Sequence, residues 1–385
     1  MWGGLVTLQN INFLENFRIT NRNHKNLDGL RAIGILMVMI SHFFGNYINV
    51  QIMWTSIDLL FCLSGLLITG ILIETKNELR YFQKFYIRRI LRIFPLYYLL
   101  IIFFLIFIYF LTPHPEYYDY FKNNIVYFLT YTQNWYFIHW GEPPGGYLNH
   151  TWSLAIDEQI YLLWPLLIWL CKTQKQLMYL CLSTIVFSLI FRLCYNYYLI
   201  NHPSLHSYPY FHNTFCRLDS FASGSLLYCF LKFKDTYLSN LKIFLLFIVS
   251  LVLFTVCAIG DGSFTHTGFY MRNFGITLAG IHFSTWLYFA INEEFLLLNY
   301  FLSNSFLRYI GKISYSLYIF HLFILLLLVS KINLVLSKLT SYSEIIAIIV
   351  CLCLSIIISV LSYEFFEKPI FQLKKKFKYS EKIIR

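Results

Sequence analysis

The stretch from Asn26 to Phe44 reads NLDGLRAIGILMVMISHFF, a membrane-length apolar run that nevertheless carries Asp28, Arg31 and His42. At about 100° per residue, Arg31 and His42 lie within ~20° of each other on a helix, with Asp28 one turn before Arg31. A charge inside a bilayer costs roughly 2.5 kcal/mol or more, so ionisable side chains there usually serve a function. An anchoring ion pair at the helix end would explain Asp28 and Arg31 but not His42, ~21 Å beyond Asp28.

The whole chain has the composition of a polytopic membrane protein. Its 385 residues are 58% hydrophobic and only 13% charged, with a mean hydropathy of +0.59, whereas a soluble domain carries about 25% charged residues. The nine cysteines fall in or beside apolar runs without zinc-binding spacing, so we interpret them as small packing residues. The first 25 residues lack a signal-peptide pattern, so we expect the first membrane helix to be retained.

Hydropathy predicts an all-α integral membrane protein with a single bundle of ten spans. We expect a cytoplasmic segment at 1–26, the membrane domain at 27–369 and a basic cytoplasmic tail at 370–385, with no large soluble appendage. The predicted spans are 28–49, 52–74, 94–112, 152–171, 177–200, 214–231, 242–260, 269–291, 311–330 and 344–366.

Lysine and arginine residues predict the orientation of this bundle. With the amino terminus inside, 23 of the 30 fall in inner segments, 3 in outer segments and 4 within spans. The positive-inside rule therefore predicts that both termini are cytoplasmic. The net charge of +11 then belongs to the cytoplasmic face, where anionic lipid and an anionic cofactor suffice as partners and no nucleic acid is needed.

The segment from Pro113 to His150 is predicted to be a long outer loop, rich in Tyr, Trp and Asn. Such aromatic residues are typical of the membrane interface. A loop of this length is also compatible with a lid or a platform for a substrate. The basic tail is expected to lie along the inner leaflet.

The sequence HTWSLAIDEQIYLLWP begins at His150 and enters the fourth span from outside, carrying Trp152, Asp157 and Glu158. Glu158 is expected ~10 Å deep, close to the level of His42. Because buried charges are normally paired, Glu158 either pairs with an arginine of another span or helps to orient His42. The arginines of other spans are Arg192, Arg217 and Arg272.

On the predicted inner side, FYIRRILRIFP ends at Pro95 and puts Arg89 and Arg92 one helical turn apart. Two guanidinium groups on one helix face suit a phosphate-rich ligand. Positive-inside anchoring explains the same residues, and their spacing does not choose between the two. In the second span, Ser64 and Gly65 permit either close helix packing or a narrow opening for a thin substrate arm.

Further polar residues follow in later spans. Arg217 and Asp219 lie in the sixth span, His321 in the ninth and Glu367 just after the tenth. His282 is interpreted as a hydrogen-bonded packing residue. No metal site is expected at the outer histidines, because prolines interrupt the helical spacing. Those histidines are His202, His206 and His212.

Seven motifs between Asn26 and Pro369 together resemble the acyltransferase 3 family of integral-membrane acyltransferases. Asp157, Ile160 and Leu66 are mild departures from its pattern. The motifs are LDGLRA with SHF, DLLFCLSG, RRILRIFP, HTWSL with DEQIYLLWP, RLD, GKISYSLYIFH and SYEFFEKP.

This resemblance implies a ten-helix bundle in the inner (plasma) membrane that transfers an acyl group, most often acetyl from acetyl-CoA. The acceptor it implies is a sugar hydroxyl of a surface polysaccharide such as lipopolysaccharide, or of a lipid-linked glycan. No tightly bound cofactor is implied. Acyl-CoA is expected to engage Arg89 and Arg92, with its thioester arm passing Ser64 and Gly65.

The resemblance also implies roles for the first helix. His42 is expected to be a general base or an acyl carrier, Glu158 or Asp28 to orient it, and Arg31 to stabilise an oxyanion. The other polar residues are expected to bind substrate or to be structural. These are His150, Trp152, Asp157, Arg217, Asp219, His321 and Glu367.

One alternative of a different class is a secondary transporter for a small organic acid or a lipid-linked sugar. Intramembrane charges fit a transporter equally well. Transporters often contain inverted repeats, however, and the sequence contains no evident internal repeat.

Overall fold

A computed structural model describes residues 21–111, 115–201, 209–233, 239–292 and 295–377. Within these ranges the chain is helical, with short connections and no strand. The main helices are α1 (Asn21–Phe44), α2 (Ser56–Glu74), α3 (Tyr81–Leu111), α4 (Pro115–Leu129), α5 (Gln133–Trp140), α6 (Trp152–Leu170), α7 (Gln174–Asn201), α8 (Leu218–Lys232), α9 (Asn240–Asp261), α10 (Ile276–Ile291), α11 (Leu296–Leu302), α12 (Ser305–Lys312), α13 (Ser314–Leu336), α14 (Ser343–Ser362) and α15 (Lys368–Leu373).

Nine helical segments in the described part of the chain are long and apolar enough to cross a membrane. The remaining predicted span, 214–231, consists of a short 3₁₀ turn followed by α8, which has only 15 residues. Most of α8 is buried, and it packs against α2, α7 and α10. Protein therefore surrounds this helix on most sides, and the fold is the predicted all-α membrane bundle.

The contact between α2 and α8 brings two backbones together. Gly65 of α2 lies against the carbonyl of Phe221, and Gly224 of α8 lies against the carbonyl of Cys62. A Cβ atom at either glycine would clash with that backbone. The structure therefore corrects the expectation that Gly65 opens a path for a substrate arm, because this glycine serves close helix packing.

Two fully buried ion pairs connect helices around α8. Arg192 of α7 donates to Asp219 at 2.9 Å, and Arg217 lies 3.3 Å from Asp58 of α2. Leaving one member of such a pair alone in the interior typically costs about 3–5 kcal/mol. Arg217 and Asp219 therefore stabilise the bundle, each with a partner from another helix. Both arginines take these partners rather than Glu158.

The segment predicted as a long outer loop is folded in its described part. Tyr97 of α3 donates its hydroxyl to the carbonyl of Phe128 at 2.9 Å, and the rings of Phe104 and Phe121 meet edge to face at 4.6 Å. Phe121 and Phe128 are thus buried, whereas Trp140 is exposed, and the segment is a largely helical connection between two candidate spans rather than an irregular loop. The side of the membrane on which this segment lies stays a prediction.

Helix α3 begins at Tyr81 and continues through Pro95, well before the predicted start of its span. A proline lacks only its own backbone donor, and this helix continues past it. Arg89 and Arg92 consequently belong to the membrane helix itself. They lie in its third and fourth turns and are partly buried.

Candidate active site

A cavity of about 440 Å³ is lined mainly by α1, α2, α3, α6 and α13. Two acidic residues, Asp28 and Asp157, line it together with five basic ones. Such an excess of positive charge within low-dielectric walls attracts anions. The basic residues of its lining are Arg31, Arg89, Arg92, Lys312 and Lys374. We call the part of the cavity around Arg89, Arg92 and Lys374 the basic end.

Asp28 and Arg31 form an ion pair within α1, with 2.5 Å between Arg31 Nη1 and Asp28 Oδ1. Both line the cavity, whereas His42 lies eleven residues beyond Arg31, roughly 16 Å along the helix. At that distance Asp28 cannot orient His42, and Arg31 cannot stabilise an oxyanion formed beside it. The structure contradicts both expected roles because a shared helix face does not bring residues to the same depth.

The R-x-x-R pair lies where its spacing suggested. Arg89 and Arg92 both line the cavity, and the Arg89 guanidinium stacks on the ring of Tyr161 at 5.4 Å. Tyr161 in turn donates its hydroxyl to Ser64 Oγ at 3.2 Å. Ser64 therefore lines the same cavity as the arginines, unlike its neighbour Gly65.

The adjacent carboxyl groups of α6 lie near this arginine pair. Asp157 lines the cavity, and the charged groups that act on Glu158 are Asp157 and Arg89. Glu158 is eight residues past His150, about 12 Å further along the chain if helical. The expectation that Glu158 lies beside His42 was wrong. His150 lies near His42 instead, because it belongs to the short 3₁₀ turn that enters the bundle before α6 begins.

Three imidazoles form a cluster outside the cavity lining, next to Tyr318, and we call His42, His150 and His321 the histidine cluster. His42 Nδ1 lies 2.8 Å from His321 Nε2, and the two rings stack with centroids 5.0 Å apart. The ring of His150 lies 5.2 Å from that of His321. His150 and His321 are buried, whereas the His42 side chain remains exposed.

Hydrogen bonding assigns the tautomers of two of these rings. His321 Nδ1 lies 2.8 Å from the Tyr318 carbonyl and 3.0 Å from that of Leu317. Carbonyls only accept, so His321 Nδ1 carries the proton, and Nε2 of the neutral ring is an acceptor. His42 must then donate from Nδ1, which leaves the lone pair of His42 Nε2 available as a base or nucleophile.

Tyr318 lies between the cavity and the histidine cluster. Its hydroxyl donates to the His150 carbonyl at 2.5 Å and accepts from Ser153 Oγ at 2.6 Å. Tyr318 and Ser153 both line the cavity. Sequence reasoning missed these two residues, although Tyr318 lies one helical turn before His321 in the same motif.

The remaining expected site residues have mainly structural contacts. The ring of Trp152 packs at a tilt against Phe211, with centroids 4.9 Å apart, and lies 5.8 Å from the Arg217 guanidinium. Glu367 accepts from Ser316 of α13 and so connects that helix to the segment after α14. Of the three outer histidines, His202 and His206 lie outside the described residues. Burial is the main factor that lowers the pKa of His212 to about 3.

A sequence profile for an acyltransferase domain matches residues 24–364 of this chain. The chain belongs to this acyltransferase family. The family inferred from the seven motifs is thereby confirmed, and an enzyme is favoured over the transporter alternative. No solved structure matches the chain significantly.

The named relatives match different shares of this acyltransferase. It is 34% identical to peptidoglycan O-acetyltransferase OatA of Listeria monocytogenes over 158 residues, 38% of this chain and 24% of that protein. A Staphylococcus aureus (strain COL) protein with a provisional O-acetyltransferase name is 28% identical over 367 residues, 89% of this chain and 56% of the relative. The chain thus spans about a quarter to about half of these relatives' lengths.

Proposed function

We propose that this acyltransferase moves an acetyl group from cytoplasmic acetyl-CoA to a hydroxyl group of an extracytoplasmic or lipid-linked glycan. The observation that carries the proposal is the cavity, which is lined by cations and by Tyr318, whose ring lies 5.7 Å from that of His321, the hydrogen-bond partner of His42. The Listeria monocytogenes relative is named for acetylating peptidoglycan, a glycan, and this supports the class of acceptor.

The donor is proposed from the chemistry of the cavity lining. The phosphate groups of a coenzyme A thioester form short charge-assisted bonds with guanidinium groups such as those of Arg89 and Arg92. Its thin pantetheine arm suits the path past Ser64, where the walls are formed by apolar side chains and the Tyr161 hydroxyl. In this arrangement the thioester points toward Tyr318 and the histidine cluster.

The chemical step uses the lone pair of His42 Nε2. As the glycan oxygen attacks the thioester carbon, its proton passes to Nε2, the carbon–sulfur bond breaks and the departing sulfur receives the proton. A double displacement through an acetyl-imidazole on Nε2 would use the same lone pair. Radiolabel retained on purified protein after incubation with labelled acetyl-CoA, without acceptor, distinguishes the two routes.

Removing either guanidinium of the R-x-x-R pair should weaken the use of acetyl-CoA. Each charge-assisted phosphate bond is worth about 1.5–3 kcal/mol, so Arg89→Ala or Arg92→Ala should raise the KM for acetyl-CoA about 10- to 150-fold. Lysine at either position should recover only part of this, because it lacks the planar fork. Thiol release from acetyl-CoA in membranes that contain acceptor measures the effect.

The matched control for this pair is Arg80→Ala, which removes an exposed arginine just before α3. It should leave the KM unchanged. If both cavity variants bound acetyl-CoA as the parent does, Arg89 and Arg92 would be topological anchors and the donor site would lie elsewhere.

Sidedness follows from the lysine and arginine distribution, and we expect both termini and the basic end to be cytoplasmic. Single cysteines at the exposed positions 119 and 267 should react with an impermeant maleimide in intact cells. Cysteines at the exposed positions 80 and 376 should react only after the membrane is opened. The nine native cysteines are replaced beforehand. The reverse labelling pattern would mean that the protein has the opposite orientation in the membrane, and a cytoplasmic donor would be excluded.

A further inference from the structure

The segment after α14 folds back under the cavity. Arg88 of α3 donates to the carbonyls of Lys374 and Phe377, at 3.3 Å and 3.2 Å. These bonds hold the turn Lys374–Phe377 against α3 beside the arginine pair. The expectation that this part of the tail lies only along the inner leaflet is therefore corrected, because α3 supplies donors for its backbone.

Three residues of this segment line the cavity, Tyr363, Phe371 and Lys374, and Lys374 is the charged one. Its side chain lines the basic end together with Arg89 and Arg92, and its Nζ lies 3.9 Å from the centre of the Phe371 ring. The profile match to the acyltransferase family ends at residue 364, before this lysine. The motif-based expectations included no donor-binding residue from the tail.

We propose that Lys374 binds the phosphate groups of the coenzyme donor, as a third cation beside Arg89 and Arg92 at the mouth of the cavity. The inference rests on the proposed function and deepens it. It assigns part of the donor site to the carboxy-terminal segment, so that donor binding and the packing of this segment on α3 are coupled.

The electrostatics of the basic end support this assignment. Burial, followed by the nearby arginines, lowers the pKa of Lys374 to about 7. Like charges held together in this way are relieved by a bound polyanion, which restores the charged ammonium. The charged groups that face Lys374 are Arg88, Arg89 and Arg92 on α3 and Glu367 after α14.

The sign of the pH dependence follows from that lowered pKa. Below pH 7 the amine is cationic and binds phosphate, and above pH 7 the unliganded amine loses its proton. The preference for acetyl-CoA over acetyl-pantetheine, which has no phosphate, should therefore fall between pH 6.5 and 8 in the parent protein. Because His42 acts on both donors in the same way, the effect of its titration cancels in the ratio of their kcat/KM values. In Lys374→Arg the preference should persist to higher pH, because a guanidinium stays charged.

The deciding experiment measures kcat/KM for both donors in membranes carrying the full chain. At pH 6.5, Lys374→Gln should lower kcat/KM for acetyl-CoA roughly five- to tenfold and leave that for acetyl-pantetheine unchanged. The matched control is Lys368→Gln, six residues earlier, whose amine pairs with Glu364 and lies outside the cavity lining. It should affect neither donor.

Each other outcome has a definite meaning. An equal loss with both donors would mean that Lys374 only anchors the segment or contacts lipid headgroups, and the inference would be overturned. Unchanged values with both donors would overturn it as well. If the parent protein released no thiol from either donor, the proposed function itself would fall and the inference with it.

Discussion

Replacing His42 by alanine is expected to stop acetyl transfer while the protein still inserts in the membrane. The variant loses the one residue of the histidine cluster that is exposed, and its hydrogen bonding leaves Nε2 of that ring unprotonated. Loss of a general base typically slows a reaction about 100- to 10,000-fold. The measurement is the acetyl content of isolated surface glycan, by mass spectrometry, in cells that carry the variant as their only copy.

Two controls separate a chemical defect from misfolding. His42 does not line the donor cavity, so His42→Ala should bind acetyl-CoA with the parent affinity. His139→Ala removes an exposed imidazole of α5 and should leave glycan acetylation intact. More than a few per cent of parental acetylation in the His42 variant would disprove its role as base or acyl carrier.

Replacing His321 by alanine should have the second-largest effect, although this ring is too deeply buried to meet a substrate. His321 accepts the Nδ1 proton of His42 and so keeps Nε2 of that ring unprotonated. Without this acceptor the His42 proton can move to Nε2, which removes the free lone pair. The ring of His42 also loses the hydrogen bond that orients it. We expect the rate to fall roughly 100-fold or more, by analogy with the loss of a tautomer-holding partner in a catalytic triad.

The positioning role is tested by graded substitution. His321→Gln retains an acceptor for His42 and should restore part of the activity, whereas His321→Phe fills the space without one and should not. All three variants should bind acetyl-CoA normally if the cavity is intact. Equal activity in the glutamine and phenylalanine variants would reduce His321 to a packing residue.

Much of this architecture could be predicted from the chain alone. Apolar runs of membrane length predict helices because each backbone group must be satisfied within its own segment. The R-x-x-R spacing predicted two guanidinium groups on one face, and Arg89 and Arg92 do line one cavity. The periodic stripe on α1 correctly singled out ionisable residues, but it suggested partners for His42 that the fold does not supply.

The errors at Glu158 and Gly65 share one physical origin. Helical periodicity reports the face on which a residue lies and its depth along one helix, and it contains no information about which helix lies opposite. Glu158 was expected beside His42 from its depth, whereas its electrostatic neighbours are Asp157 and Arg89. Gly65 could have served a ligand or a neighbouring helix, and only the position of α8 decided for the helix.

The sequence by itself determined that this is an all-α membrane protein, that it is an acyltransferase by family, and that His42, Arg89 and Arg92 are candidate site residues. Only the tertiary structure decided which residues lie beside them. It brought His321 to His42 across 279 residues and Lys374 to the arginine pair. Those contacts depend on the packing of helices that are distant in the chain. That packing is determined by side-chain shape across the whole bundle and cannot be read from a local sequence pattern.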